Sequence, residues 1–366
     1  MFLTTEMDFG LAMLRHVPLN TSAVVSPISV IFTLAMLQAG ARSSTKEQIN
    51  ELITKGFSDE SITNYFSSLS NAILSGTDGV QTRMANGFFL NKQFVVKRDY
   101  VDRIVNKFHA KVETLDFREA EEAAKGSPLF TFICAFWMLL YAFSLIINAV
   151  YFTGEWLDEF YKDYNTKAIF HSVEEARRET EFMSDLEVYR QYAEDDEVEV
   201  LSLPYKDVSY AFNIFLPKKG FGLESVRSMI DGARIQKLLS RLEETFISVT
   251  IPKIKIETDF KLKEALMNMG VTEVFSDNAD LSGISSKPPL KISDAAHRAI
   301  IENLKYQYNA MALKVDEKGT TAAAATLFKA IPKMAVFEKP KKFVADHPFL
   351  FILTKHNNPL FMGQFV

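Results

Sequence analysis

Residues 317–334 have the sequence EKGTTAAAATLFKAIPKM, in which threonine and alanine follow one glycine and no further turn residue occurs before Pro332. If this stretch forms a β-strand, successive side chains point to opposite faces. One face then carries only small or apolar groups: Thr320, Ala322, Ala324, Thr326, Phe328 and Ala330. The other face carries the one charged side chain, Lys329, with Thr321, Ala323, Ala325, Leu327 and Ile331. The stretch can therefore enter a sheet as an additional strand without burying an ionised group, which would be costly.

The same composition suits two alternatives. Alanine has the highest helix propensity, so residues 320–331 could instead form an alanine-rich helical segment. A flexible surface loop is the other alternative. The motifs that surround the stretch favour the strand.

The amino-acid composition excludes several classes of protein. The chain has 366 residues, of which 48% are hydrophobic and 24% charged, so it can bury a sizeable core. A net charge of −5 argues against a general nucleic-acid binder, which would show a basic face. Cys134 is the single cysteine, which excludes an intramolecular disulfide and favours a reducing compartment. The first residues, MFLTTEMDFG, lack the basic and apolar regions of a signal peptide. We expect a cytoplasmic protein, with non-classical export as the alternative.

Local patterns predict helices and strands in alternation. Pro27 suits the first turn of a helix that Gly40 ends, and residues 100–108 form an amphipathic pattern. Strands are predicted at 80–90, twice within 201–217 with a short turn between, and as one half-buried strand at 247–256. No regular βαβ repeat and no long polar linker occurs, which predicts a single α+β domain over residues 1–366.

One apolar run needs separate treatment. Residues 126–154 contain no charged side chain, and residues 129–147 are long enough to span a membrane. The flanks lack the basic asymmetry of a membrane span, and residues 144–152 (SLIINAVYF) predict a buried strand. A membrane anchor is therefore the weaker interpretation.

No pattern of catalytic residues emerges. Cys134 lies in an apolar run, whereas reactive thiols need an electropositive and accessible site. The six histidines lack metal-ligand spacing, and Gly220-Phe221-Gly222 lacks the remaining residues of a phosphate loop. Neither Ser26 nor Ser29 lies in a G-x-S-x-G motif. The sequence predicts no enzyme, no metal site and no cofactor.

Motifs along nearly the whole chain resemble those of one family, in that family's order. They are VVSPISVIFTLAMLQAGARSST (24–45), ANGFFL (85–90), INAVYFTGEW (147–156), LSLPY (201–205), VTIPKIKIE (249–257), ADLSGI (279–284), ISDAAHRA (292–299), FVADHPFLFIL (343–353) and LFMG (360–363). Together with residues 317–334, they make the chain similar to the serpins. The resemblance implies a large central, mostly antiparallel sheet, two smaller sheets, surrounding helices and an exposed reactive loop at about 317–340.

The resemblance also implies a suicide inhibitor of a serine protease, or of a cysteine protease. The protease acylates itself at one bond of the loop, and the cut loop then inserts into the central sheet. The implied hinge comprises Glu317, Gly319, Thr320, Ala322, Ala323, Ala324 and Ala325. Counting on from Gly319 as the family does places the cleaved bond between Lys333 and Met334, which suits a trypsin-like target. The alternative is that the bond lies a residue or two away.

Further positions are matched individually by the resemblance. Ser26, Ser29, Asn148 and His297 match a polar cluster beneath the strands that must separate, and Trp156 matches a tryptophan where insertion begins. A satisfied buried network without a role in opening is equally compatible with these residues. We expect a monomer.

Two segments depart from the family pattern. Residues 127–143 are apolar where the family has a helix and a polar return, and residues 303–314 separate two motifs that are nearly adjacent in the family. Both resemble foreign sequence inserted into a regular serpin. A non-inhibitory carrier or chaperone, or an aberrant isoform with impaired folding, therefore remains the alternative function.

Overall fold

The computed structural model describes residues 2–54, 56–74, 79–115, 144–172, 177–258, 260–285, 288–292, 311–320 and 339–366. Within these ranges the chain combines helices with three sheets, which confirms the predicted α+β class. The α-helices are α1 (Phe2–Leu14), α2 (Pro27–Gly40), α3 (Ser43–Ile53), α4 (Asp59–Leu74), α5 (Arg98–Phe108), α6 (Leu223–Met229), α7 (Gly232–Leu239) and α8 (Leu262–Asn268). Two short 3₁₀ helices span Lys162–Tyr164 and Glu273–Phe275.

The strands follow the same chain order. They are β1 (Ala23–Val25), β2 (Val80–Asn91), β3 (Ala110–Leu115), β4 (Ser144–Glu155), β5 (Thr166–His171), β6 (Arg177–Glu194), β7 (Val198–Pro204), β8 (Tyr210–Pro217), β9 (Glu243–Pro252), β10 (Ile254–Thr258), β11 (Met311–Val315), β12 (Gly319–Thr320), β13 (Lys341–Val344), β14 (Phe349–Lys355) and β15 (Asn358–Phe365).

Three sheets organise these strands. The largest has the order β1-β15-β14-β8-β7-β6-β9-β13, with β5 paired to β6. A second sheet has the order β12-β4-β2-β3, and a third consists of β10 and β11. The pairs β2–β3 and β9–β13 are parallel, and the other described pairs are antiparallel. The predicted mostly antiparallel arrangement is therefore confirmed.

Helix α2 begins and ends where the sequence predicts. Ser26 caps it by accepting a hydrogen bond from the Ser29 amide, and Pro27 occupies the first turn, where a missing N–H costs nothing. Nearly every side chain of the helix is buried, because it packs against β4 and β15. The predicted strand at 80–90 corresponds to β2, the two strands within 201–217 to β7 and β8, and the amphipathic helix to α5. Buried Tyr100, Ile104 and Phe108 form the apolar face of α5.

The single strand predicted at 247–256 is wrong. The chain forms two strands there, β9 in the largest sheet and β10 in the two-stranded sheet. The break has a physical cause, because Pro252 has no amide hydrogen and the next amide, that of Lys253, donates to the Glu181 carbonyl. Burial changes phase at the same place: Ile251 is buried on β9, and Ile254 is buried on β10.

The two atypical segments lie mostly outside the described residues. Of the apolar run 129–147, residues 144–147 begin β4, as the strand prediction requires. Within the described ranges, no helix has both the length and the apolar character needed to cross a membrane. Of the segment 303–314, residues 311–314 belong to β11.

Candidate functional site

The described part of the predicted hinge is a tight turn between β11 and β12. The Asp316 amide donates to the Gly319 carbonyl at 3.0 Å, and the Gly319 amide donates back to Asp316 at 3.2 Å. Gly319 has a φ of +138°, and a Cβ there would lie 2.0 Å from the Gly154 carbonyl oxygen. Only glycine fits this turn. Beyond Thr320, the hinge residues Ala322, Ala323, Ala324 and Ala325 and the bond Lys333–Met334 lie outside the described residues.

Trp156 contacts this turn through two hydrogen bonds. Its indole Nε1 donates to the Asp316 carbonyl at 2.8 Å, and its backbone amide donates to the Lys318 carbonyl at 2.9 Å. The ring is 1% exposed and stacks on Tyr205, with centroids 4.5 Å apart. The tryptophan therefore anchors the point where the chain leaves β11.

Glu317 is held by three different groups. Its carboxylate lies 2.7 Å from Lys253 Nζ and also accepts a hydrogen bond from the Asn165 amide group, while its carbonyl accepts from the Phe160 amide at 2.9 Å. Glu317 is only 4% exposed. Burial alone would raise the pKa of this carboxyl, but the hydrogen bonds from Lys253 and Asn165 hold the pKa below its ordinary value. Glu317 is therefore ionised at neutral pH and fixed in place.

Lys253 connects this hinge to the largest sheet. Its ammonium group also contacts Glu181 on β6 at 2.5 Å, and it is the residue that separates β9 from β10. Lys253, Asn165 and Phe160 were not predicted as site residues from the sequence. The change of apolar phase at Pro252 was the one available signal for Lys253.

Two strand edges end at the hinge. β4 pairs with β2 along its length, and among the described residues only β12 pairs along its other edge, at Gly154 and Glu155. β11 pairs with β10, and no second strand of the described chain pairs with it. An unpaired edge presents a row of backbone donors and acceptors to an incoming strand. In the described part of the chain, the turn at Gly319 therefore lies between an edge of β4 and an edge of β11, and neither edge has a second long strand beside it.

The predicted polar cluster is only partly described. Ser26 and Ser29 are fully buried, and the Ser29 amide donates to the Ser26 hydroxyl at 3.4 Å. Helix α2, which contains Ser29 and is capped by Ser26, packs against β4, the strand of Asn148. The Asn148 side chain and His297 lie outside the description. Trp156 stands eight residues from Asn148 along the chain, roughly 26 Å along an extended strand.

Metal ligation finds no support in the described ranges, where no three His, Cys, Asp or Glu side chains lie together as an ion would require. The charged groups at this turn instead pair with one another, one lysine with two carboxylates. Lys253 faces Glu181 and Glu317, with distances of 2.5 and 2.7 Å. The described contacts hold the chain in place at Asp316, Glu317 and Lys318.

Comparisons with known proteins match most of the chain to one family. The family model described as Serpin (serine protease inhibitor) matches residues 4–127 and 142–366, so the internal unmatched residues, 128–141, fall within the atypical segment 127–143. Iripin-2 of Ixodes ricinus is 30% identical over 97% of this chain and 91% of its own length. Alpha-1-antitrypsin of Sus scrofa is 29% identical over 98% and 85%. A crystal structure of uncleaved ovalbumin, 23% identical, superposes with a TM-score of 0.81 over 100% of this chain and 99% of that one.

Proposed function

Because the chain belongs to the serpin family, we propose that it is a suicide-substrate inhibitor of a trypsin-like serine protease. One observation carries the proposal: the turn at Gly319 joins two strand edges that are open in the described structure, and the sequence that follows is small and apolar on one face. A reactive loop that leaves this turn can re-enter as a strand between those edges.

The chemistry belongs to the protease. Its serine oxygen attacks the Lys333 carbonyl carbon, the bond to the Met334 nitrogen breaks, and the departing amine takes a proton from the protease's histidine. Lys333 remains esterified to the protease. An acidic specificity pocket binds the Lys333 side chain, which is the reason for a trypsin-like target. A cysteine protease would form the corresponding thioester.

The length of the connecting segment suits this role. Glu317 contacts Lys253, the residue that follows β9, whereas β13 begins opposite Ile247 of β9, six residues earlier in the chain. This separation is roughly 20 Å. The twenty residues between Thr320 and Lys341 can span about 65 Å when extended. The segment is therefore much longer than the shortest connection, as a protease substrate loop must be.

Insertion provides the driving force for trapping. A strand of residues 321–332 would form about ten backbone hydrogen bonds, each contributing about 1 kcal/mol net. The sum, about 10 kcal/mol, equals the entire stability of many domains. The small inward face, Thr320, Ala322 and Ala324, allows this gain without a charged group being buried.

The compartment and partners follow from the same proposal. A single cysteine suits the reducing cytoplasm. The partner is one protease molecule for each monomer of the inhibitor. We propose no catalytic role for any residue of this chain.

The test is incubation with trypsin at equal molarity, followed by a denaturing gel. We expect a covalent band whose mass is the sum of the protease and the 41.5 kDa chain, less residues 334–366, which cleavage frees under denaturing conditions. A substitution of Lys333→Glu removes the side chain that the protease recognises and should abolish the band. Cleaved chain alone, with no covalent band and no gain in thermal stability, would instead indicate a non-inhibitory member of the family.

A further inference from the structure

A half-open cleft of about 360 Å³ lies between α7 and the turn that joins β6 to β7. This volume lies within the range of small-molecule binding sites. Six residues line the cleft: Asp195, Ala233, Arg234, Lys237, Leu238 and Arg241. Three of these side chains are cations and one is a carboxylate, so the lining carries a net charge of +2 at neutral pH. A cleft of this size and charge suits a small anion.

The three cations lie on one face of α7. A helix turns by about 100° per residue, so the directions of Arg234, Lys237 and Arg241 differ by no more than about 60°. Arg241 lies beyond the last residue of the helix, but its amide donates to the Leu238 carbonyl at 3.1 Å and continues the turn. Like charges four residues apart on a helix, such as Lys237 and Arg241, repel each other and destabilise it. An anion bound between these side chains removes that repulsion.

Two carboxylates hold Arg234 in a fixed orientation. Its Nε and Nη2 donate to the two Asp195 oxygens at 2.9 and 3.0 Å, and its Nη1 lies 2.8 Å from Glu197. Asp195 also accepts hydrogen bonds from the Glu197 and Val198 amides, both at 3.0 Å. Burial alone would raise the pKa of the Asp195 carboxyl, but these hydrogen bonds hold the pKa below its ordinary value. A guanidinium has more N–H groups than these contacts use, so Arg234 keeps donors for a ligand.

The other two cations of the cleft, Lys237 and Arg241, differ from Arg234. Both are exposed, and in the described part of the chain neither side chain forms an ion pair or a hydrogen bond. Further cations near the end of β6 are paired, since Lys218 and Lys341 both contact Glu194, at 2.6 and 2.7 Å. The charge of Lys237 and Arg241 is therefore available to a ligand.

Acidic residues around the cleft limit the size of its ligand. Residues 194–199 have the sequence EDDEVE, and Glu243 and Glu244 follow Arg241 closely in the chain. A long polyanion, such as a nucleic acid or a sulfated glycan, would extend past the cleft and be repelled by these carboxylates. A small phosphate monoester avoids them. Its charge of about −1.5 to −2 at pH 7 matches that of the lining, and its oxygens fit the donors of a guanidinium.

From these observations we infer that the cleft binds a small molecule through a phosphate monoester group. Arg234 provides an oriented guanidinium, and Lys237 and Arg241 provide the unpaired charge. The cleft shares no lining residue with the contacts of Glu317, so the inference does not depend on the proposed inhibitory function. Its consequence is thermodynamic, because a ligand that binds only the folded chain raises the stability of that chain.

The experiment is isothermal titration calorimetry of the full chain at low ionic strength, with glycerol 3-phosphate as the probe. We expect saturable binding that added salt weakens, because exposed charges are screened. Glycerol, which lacks the phosphate group, should not bind. Inorganic phosphate should bind more weakly than the ester, since it fills less of the cleft. The Tm of the chain should rise with the concentration of glycerol 3-phosphate.

Substitutions in the cleft test which residues bind. Lys237→Gln/Arg241→Gln should weaken the binding of glycerol 3-phosphate by about tenfold or more, because both side chains lose their charge-assisted contacts. Lys219→Gln is the matched control, since Lys219 is also an exposed lysine but does not line the cleft; its affinity should equal that of the unsubstituted chain. Ala233→Asp is a second variant, which places a carboxylate in the lining and should also weaken binding. Ala233 lies in the first turn of α7, where a negative charge stabilises a helix, so this variant should fold.

Each outcome decides the inference. It is refuted if glycerol 3-phosphate does not bind, or if the double variant binds within about twofold of the affinity of the unsubstituted chain. Equal weakening by Lys219→Gln would show that only the overall charge matters, which also refutes it. A sulfated oligosaccharide that competes with glycerol 3-phosphate and binds more tightly would identify a site for a long polyanion. Inorganic phosphate that binds as tightly as the ester would identify free phosphate as the ligand. Either of these last two results overturns the inference as well.

Discussion

Replacing Glu317 by glutamine tests the hinge contacts directly. The substitution keeps the size of the side chain and removes its charge, so the ion pair with Lys253 becomes a weaker hydrogen bond. Breaking a fully buried ion pair costs about 3–5 kcal/mol. Here Lys253 keeps its contact with Glu181 and its side chain is 27% exposed, against 6% for Glu317. We therefore expect a smaller loss, about 2 kcal/mol in the free energy of unfolding.

The assay is thermal unfolding followed by circular dichroism at several pH values. A loss of about 2 kcal/mol lowers Tm by roughly 3 °C for a domain of this size. Folding lowers the pKa of the Glu317 carboxyl, so its contribution is present at neutral pH and is lost as pH falls through the folded pKa. The difference in Tm between the two proteins should therefore be full at pH 7 and close as pH falls below the ordinary value of 4.5.

Two further variants sharpen this experiment. Glu264→Gln makes the same chemical change at an exposed ion pair, where Lys261 lies 3.5 Å away and Glu264 is 69% exposed. It should cost less than about 0.5 kcal/mol. Lys253→Gln leaves two carboxylates, Glu181 and Glu317, without their cation and should cost more than Glu317→Gln. Equal Tm values for Glu317→Gln and Glu264→Gln would refute the structural role of Glu317.

Two other predictions concern Gly319 and Glu6. Gly319→Ala should lower stability by about 2 kcal/mol or more and speed hydrogen exchange of the Trp156 amide, because the new Cβ strikes the Gly154 carbonyl at a φ that other residues rarely adopt. Gly220→Ala, with nothing within 4 Å of its added Cβ, is the control; equal exchange in both variants would contradict the prediction. Burial raises the pKa of Glu6 to about 8. Since the folded pKa lies above the unfolded one, stability falls as pH rises from about 4.5 to about 8. Glu6→Gln should raise stability by about 3 kcal/mol at pH 7 and change nothing below pH 4; a gain in Tm that is the same at pH 4, 7 and 9 would contradict this.

Local signals in the sequence predicted the elements that depend on nearby residues. The first turn at Pro27 and the end at Gly40 bound α2, and alternation of apolar residues located β2, β7 and β8. The prediction of a single strand at 247–256 was wrong because the alternation of apolar residues shifts by one residue at Pro252. Counting apolar residues over the whole stretch does not reveal this shift. The chain breaks between β9 and β10 because the two strands have different partners: β9 pairs with β6, and β10 pairs with β11.

At the hinge, too, the sequence predicted individual residues but not the contacts between them. Gly319 was identified from the sequence, and the structure adds the reason, a turn that no Cβ can enter. Glu317 was identified as part of the hinge, but its partners were not. Asn165 and Lys253 are far from Glu317 in the sequence, and neither carries a local pattern that distinguishes it from a surface residue. Contacts of this kind depend on how the sheets meet, which no local pattern encodes.

Substitutions on the inward and outward faces of residues 320–331 test strand insertion most directly. Ala324→Glu places a charge on the face predicted to be buried, and Ala325→Glu places the same charge on the opposite face. Neither change creates a new site for trypsin. After incubation with trypsin, Ala325→Glu should form the covalent complex, and its cleaved form should unfold roughly 20 °C above the intact chain. Ala324→Glu should be cleaved without complex or gain in Tm. Equal behaviour of the two variants would contradict insertion of this segment as a strand.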